Sequence, residues 1–266
     1  MSDPSPKAPA WVASFFDTAT SWWSAPQVDE DDHTRVADLE RLCGPGPHRI
    51  LDLGAGAGTT ARALTDAGHE VTALELSPVR ANLARVLATG TRMEVVEGDF
   101  FTVDLVGRYS VVTCWNGFGI GSDRDQRSLL ARIARDWLAQ DGAVLVDVFS
   151  PWRWARIAGQ EERLDTYPDG TVRVPALVNK NDFDPTTSRF LDSWWPDGAE
   201  HLKVTQSARC YTPADFRLLV EGTGLHMVRC ELDGQDLDGQ DLVSTPGAHP
   251  LLDAWEYRTL LTAGPA

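Results

Sequence analysis

The chain has 266 residues, with 39 acidic against 24 basic side chains and a formal charge of −15. That length can bury a full α/β core, and the negative field repels polyanions, which excludes nucleic acid as the main substrate. No apolar run approaches the roughly 20 residues that cross a bilayer, and the start MSDPSPKAPA lacks a signal peptide's hydrophobic stretch, so the expectation is a soluble cytoplasmic protein.

Residues 1–10 read as a disordered tail. From Trp11 to Leu42 apolar residues recur at helical spacing among acids, and Ser24-Ala25-Pro26 divides the stretch into two helices. After Gly44-Pro45-Gly46-Pro47, strand and helix signals alternate. Strands are expected near 49–53, 70–75, 93–96, 109–115 and 142–149, with helices near 58–67, 78–88 and 125–139. This alternation predicts a parallel sheet with helices on both faces. From Pro151 the rhythm changes to short alternating runs, Thr171-Val172-Arg173-Val174 and Arg189 to Trp194, set off by turns at Tyr167-Pro168-Asp169-Gly170 and Pro196-Asp197-Gly198. Antiparallel strands inserted after the fifth strand are expected there. A helix near 213–222, with Thr212 as cap and Pro213 in its first turn, and strands near 226–232 and 255–262 complete the sheet. Between those two strands Asp233-Gly234-Gln235-Asp236-Leu237 is repeated at once by Asp238 to Leu242. Without EF-hand spacing it reads as a solvated loop. The four cysteines form no C-x-x-C pair; Cys114 and Cys230 lie in apolar strand-like runs and read as buried thiols.

The stretch Arg49-Ile50-Leu51-Asp52-Leu53-Gly54-Ala55-Gly56-Ala57-Gly58 takes a strand into a helix through three alternating glycines. Such a turn brings backbone N–H groups to a nucleotide without an intervening Cβ. Gly56 to Ala61 also satisfies the dinucleotide pattern G-x-G-x-x-A. Asp52 separates the two readings. A carboxylate two residues before Gly54 repels a pyrophosphate and attracts an ammonium or sulfonium, which favours S-adenosylmethionine (SAM). Glu75, closing the second strand, can accept both ribose hydroxyls, a device that NAD sites share. Asp99, after the third strand, can accept from the adenine N6 amine while Phe100 lies against the ring.

Residues 49–149 resemble the core of the class I SAM-dependent methyltransferases. The resemblance is carried by Leu51 to Gly58, the strand-end Glu75, Gly98-Asp99-Phe100, and Val111-Val112-Thr113-Cys114-Trp115-Asn116. It implies an α/β, Rossmann-like seven-stranded sheet, mostly parallel with an antiparallel last strand. It implies contacts from Asp52, Gly54, Gly56 and Gly58 to the methionine end, from Glu75 to the ribose, and from Asp99 and Phe100 to adenine. Trp115 and Asn116 fall beside the methyl-bearing sulfur. By the same resemblance 1–46 is an N-terminal helical lid, 47–150 the SAM-binding core, 151–210 an antiparallel substrate cap and 211–266 the return to the core sheet. Asn116-Gly117-Phe118-Gly119 stands where methyltransferases of planar amines in nucleic acids and proteins carry Asn-Pro-Pro-aromatic, which argues against those substrates.

Methyl transfer needs a base when the acceptor arrives protonated. His201, Tyr211, Asp147 and Asp123 are the candidates. Phe118, Trp152, Trp154, Trp194 and Trp195 could face an organic cation or planar ring. Strand alternation places Trp194 and Trp195 on opposite faces, so at most one lines a pocket. Arg209 and Tyr211 share a face, where Arg209 holds either a substrate carbonyl or acid, or a structural carboxylate. The expected function is SAM-dependent methyl transfer to an oxygen or nitrogen of a small molecule in specialised metabolism. It needs no metal, nucleic acid or membrane, and the chain acts as a monomer or homodimer. The alternatives are a cyclisation or elimination on the same fold, a non-catalytic partner subunit, and an oxidoreductase.

Overall fold

The computed structural model describes residues 7–23, 26–165, 175–237 and 248–264. The Tyr167 to Gly170 turn, the Thr171 to Val174 run, the second copy of the acidic repeat, the Ser24-Ala25 break and the first six residues of the tail lie outside them.

Two helices, α1 (Trp11–Thr20) and α2 (Glu30–Cys43), precede the sheet. The alternating region gives β1 (Arg49–Leu53), α3 (Thr59–Asp66), β2 (Glu70–Glu75), α4 (Pro78–Ala88), β3 (Glu94–Glu97), β4 (Tyr109–Cys114), α5 (Asp123–Arg132) and β5 (Leu138–Phe149). Helix α6 (Pro151–Ile157) follows, then β6 (Glu161–Leu164), β7 (Leu177–Asp184), β8 (Arg189–Pro196) and β9 (Val204–Arg209). The chain returns through α7 (Pro213–Val220), β10 (Leu225–Leu232), β11 (Gln235–Asp236) and β12 (Glu256–Ala263).

The large sheet has the order β11-β10-β12-β5-β4-β1-β2-β3, and β6-β7-β8-β9 form a separate antiparallel sheet. Strands β1 to β5 pair in parallel, while β12 runs antiparallel between β5 and β10. The core strands are mostly apolar because helices cover both faces, with Asp52, Thr72, Thr113 and Asp147 as buried polar interruptions. Ile50, Val111 and Leu145 face α2 and α3, while Leu51, Val112 and Val144 face the α5 and α7 side. Helix starts follow local chemistry. Asp29, Ser122 and Thr212 form capping boxes with Asp32, Asp125 and Asp215, and Ser77 caps α4 ahead of Pro78.

Three expectations need correction. Residues 151–157 form a helix rather than a strand, because Pro151 occupies its first turn and Trp154 and Ile157, three apart, pack on Phe190 and Phe183. The helix expected to run to 139 ends in a five-residue π segment at Trp137, and β5 starts at Leu138, before Gly142. The first copy of the acidic repeat is a hairpin rather than an open loop. Asp233 and Gly234 both adopt positive φ (49° and 77°), the two-residue turn that sends β10 back as β11, so the sheet gains an eighth short strand. Cys114, Cys210 and Cys230 are buried and are not joined in disulfides.

Candidate functional site

At the carboxyl end of β1 the chain turns over β2, with Gly54 and Ala55 N–H both donating to Leu74 O at 2.8 and 3.0 Å. Gly54 and Gly56 take left-handed φ values of 69° and 59°. A Cβ at Gly54 would meet nothing within 4 Å, and one at Gly56 only Arg80 Nη1 at 3.5 Å, so the turn shows bare backbone to open space. Helix α3 then begins without a side-chain cap. Glu75 fixes the turn from below: Oε2 accepts Gly56 N–H at 2.8 Å and Oε1 accepts Ser77 N–H at 2.7 Å. Burial pushes its pKa up. Asp52, buried on β1, accepts from Thr113 Oγ1 at 2.7 Å through Oδ1, whereas its Oδ2 has no partner. Burial raises this carboxyl to about 7, against the opposing pull of the Thr113 bond and the Arg35 charge.

Two cavities adjoin at Gly54, Arg80 and Trp115. One, of about 220 Å³, is lined by Arg35, Asp52, Gly56, Ala57, Thr59 and Thr60. The other, of about 200 Å³, is lined by Glu75, Asp99, Phe100, Asn116 and Gly117 and closed by Ala8, Val12, Phe16 and Gln206. The chain thus brings Asp52, Gly54, Gly56, Glu75, Asp99, Phe100, Trp115 and Asn116 to one continuous space. Asp99 accepts Phe101 N–H through Oδ1 and Ala8 N–H through Oδ2, at 2.9 and 2.8 Å. Asn116 holds a left-handed φ of 52°, and its amide bridges two elements. The oxygen accepts from Arg35 Nη2 at 2.6 Å, and the nitrogen donates to Glu256 Oε1 at 3.0 Å.

Residues 50–142 match the family model described as a methyltransferase domain. The chain is 29% identical over 180 residues to the cypemycin N-terminal methyltransferase of a Streptomyces species, covering 67% of this chain and 72% of that one. The CcbJ methyltransferase from Streptomyces caelestis superposes with a TM-score of 0.71 at 18% identity, over 99% of this chain and 100% of that one. CalS10, the SAM-bound amino pentose methyltransferase of Micromonospora echinaspora, gives 0.61 at 19% identity, over 98% and 100%. The solved structures show the fold of this chain, and its sequence likeness to a methyltransferase domain spans residues 50–142.

Several expected site residues lie elsewhere in the structure. Gly58 is absent from the cavity walls because a Cβ there would meet Ala84 Cβ at 2.8 Å; it lets α3 pack on α4. Tyr211 is buried, and its hydroxyl donates to Asp123 at 2.8 Å, while burial and that bond disfavour a phenolate. Arg209 pairs with the same Asp123 at 3.0 Å and lies over the Tyr211 ring, so the structural carboxylate has claimed it. His201 is exposed on a short turn before β9. Asp147 is buried against Arg258 at 2.8 Å, in a separate cavity of about 580 Å³ beneath α2. Phe118 packs edge-on against Phe216 in the core, and Trp152 borders that same core. Trp154 stacks on Phe190, Trp194 meets Trp23 edge-on, and Trp195 lies under Lys203. None of these aromatic residues lines the two adjoining cavities.

Sequence reasoning missed Arg35, Arg80 and Gln206. Arg35 donates to Thr60 Oγ1 at 3.1 Å; Arg80 lies 4.1 Å from the Phe16 ring centroid and donates to Thr20 at 3.1 Å. Each sits among ordinary surface residues in the sequence, and no local spacing distinguishes it from a solvated arginine or glutamine.

Proposed function

We propose that the two adjoining cavities hold SAM and that the protein methylates an oxygen or nitrogen of a small molecule. The observation that carries this reading is Asp52. Its buried carboxyl has a free Oδ2, and Arg35 lines the same cavity. Opposite charges on one small cavity suit the zwitterionic amino-acid end of SAM, whereas a pyrophosphate would confront the carboxylate. In this reading Gly54 and Gly56 offer backbone to the methionine end, Glu75 takes the ribose, and Asp99 with Phe100 takes the adenine.

When bound, the cofactor supplies a methyl group already activated by a sulfonium. Catalysis by this chain is then largely alignment and exclusion of water. Val12 and Phe16 from the segment before β1 and Gln206 from the antiparallel sheet close the space, consistent with a lid over 1–46 and a cap over 151–210. Asn116, held by Arg35 and Glu256, fixes the chain at the end of β4, where the two cavities meet. The relatives named for an N-terminal methyltransferase and an amino pentose methyltransferase of calicheamicin biosynthesis support a small-molecule acceptor and a specialised pathway.

Calorimetric titration with S-adenosylhomocysteine (SAH) tests the assignment. Asp52→Ala and Glu75→Ala are each expected to weaken binding about tenfold or more, as loss of charge-assisted bonds at roughly 1.5–3 kcal/mol predicts. Unchanged affinity in both variants would sink it.

A further inference from the structure

One face of the antiparallel cap sheet looks onto the cavity through Gln206. Across its strands that face reads in rows. Phe183, Phe190 and Ala208 form one, Asn181, Asp192 and Gln206 the next, and Asn179, Trp194 and Val204 the third. The first row packs with Trp154, and Trp194 and Val204 pack towards α1. A polar strip therefore lies between two apolar clusters, where polar groups are costly unless satisfied.

Its hydrogen bonds converge on Asp192, which is 6% exposed. Asn179 Nδ2 donates to Oδ1 at 2.6 Å, and Trp194 Nε1 and Gln206 Nε2 donate to Oδ2 at 2.8 and 2.7 Å. Asn181 in turn donates to Asn179 Oδ1 at 2.8 Å. Among the described residues no arginine, lysine or histidine pairs with Asp192. Three N–H dipoles offset its desolvation but leave its unit charge in place, and in a low-dielectric setting that charge acts at longer range than in water. The same bonds orient Gln206. Its amide nitrogen must face the carboxylate, because a flip would set carbonyl oxygen against an anion. Among the described residues no donor engages Gln206 Oε1.

We infer that this strip is an ammonium subsite, in which Gln206 Oε1 accepts from a protonated amine of the substrate and the Asp192 charge attracts it. The inference rests on the methyl-transfer reading of the cavity and narrows its substrate class to amine-bearing molecules. Asp192 acts through Gln206 and is a positioning residue.

The test uses full-length protein saturated with SAH, with cyclohexylamine and cyclohexanol as probes in ligand-observed NMR titrations. The ammonium probe is expected to bind about tenfold more tightly than the alcohol, as a charge-assisted bond predicts. Asp192→Asn should bring the pair close to parity. Gln206→Met, which leaves Asp192 two of its donors, should cut the ratio at least about threefold. Each variant is titrated with SAH first, and the two probes are compared at saturating SAH. Parity in the wild type, or an undiminished ratio in Gln206→Met, overturns the subsite. Failure of the wild type to bind SAH is read before either probe is added and counts against the cofactor assignment instead.

Discussion

Asp52 is the residue at which burial bears on the proposed cofactor site. Its carboxyl sits at about 7 rather than 3.8, so the folded chain holds a proton that the unfolded chain has released between those values. This residue therefore lowers stability as pH rises from about 4 to 7. A ligand cation beside Oδ2 reverses the preference by favouring the charged form. SAH affinity is expected to rise about tenfold between pH 6 and 8 in the wild type and to stay flat in Asp52→Asn, measured by calorimetry. Arg35 makes the complementary case. Arg35→Met should weaken SAH about tenfold, as loss of a bond to a charged group predicts. The same change should leave methylthioadenosine, which lacks the amino-acid end, unaffected. Equal losses for both ligands would mean that Arg35 merely props the fold. Asp52 could be read from the sequence because it is bound to the glycine motif by adjacency. Arg35 could not, since 17 positions and a helix-to-sheet contact separate the two.

Among elements, the glycines of the turn divide their labour. Gly58→Ala should cost about 2–5 kcal/mol in urea unfolding, because a φ of 84° and a Cβ 2.8 Å from Ala84 combine left-handed strain with overpacking. Gly54→Ala meets no atom within 4 Å, so its damage should fall on SAH affinity rather than on the unfolding midpoint. Helix α2 is fastened to the far half of the sheet by charge. Arg41 bonds to Glu231 on β10, while Arg258 on β12 reaches both Asp38 and the buried Asp147. Arg258→Met would leave Asp147 as an uncompensated buried carboxylate, a loss of about 3–5 kcal/mol if it stays ionised. Burial already pushes that carboxyl up, so it takes a proton as pH falls, and the deficit should be larger at pH 8 than at pH 5. A deficit independent of pH would point to lost packing alone. Helix starts were legible because capping boxes are local, whereas α6 was hidden by tryptophans that suit strand and helix equally.

At the scale of the molecule, the cavity belongs to no single element. Its floor is the parallel sheet, one wall is the segment with α1, and another is the cap sheet through Gln206. Helix α1 joins these parts: Asp17 accepts from Ser77 Oγ at 2.5 Å on the core side, and Phe15 and Ala19 cluster with Leu177 and Trp194 of the cap. Filling the cavity should therefore tighten a distant stretch of chain. Hydrogen exchange of residues 7–23 is expected to slow on SAH binding by more than that of α7, which touches neither cavity. Equal slowing in both regions would reflect global stabilisation only.

By itself the sequence determined the strand order of chemistry along the sheet edge: a glycine turn with Asp52, then Glu75, then Asp99, each at the carboxyl end of its strand. It could do so because each acid lies within a few residues of the strand that positions it, and a parallel sheet aligns successive strand ends. The tertiary structure alone decided what faces them. Arg35, Arg80 and Gln206 arrive from elements remote in sequence. The aromatic and titratable candidates Trp154, Trp194 and Arg209 of the cap, and Tyr211 just after it, were claimed instead by neighbours that no local pattern reveals. Packing assigns each side chain to whichever partner the fold brings nearest, and that choice is made between elements rather than within them.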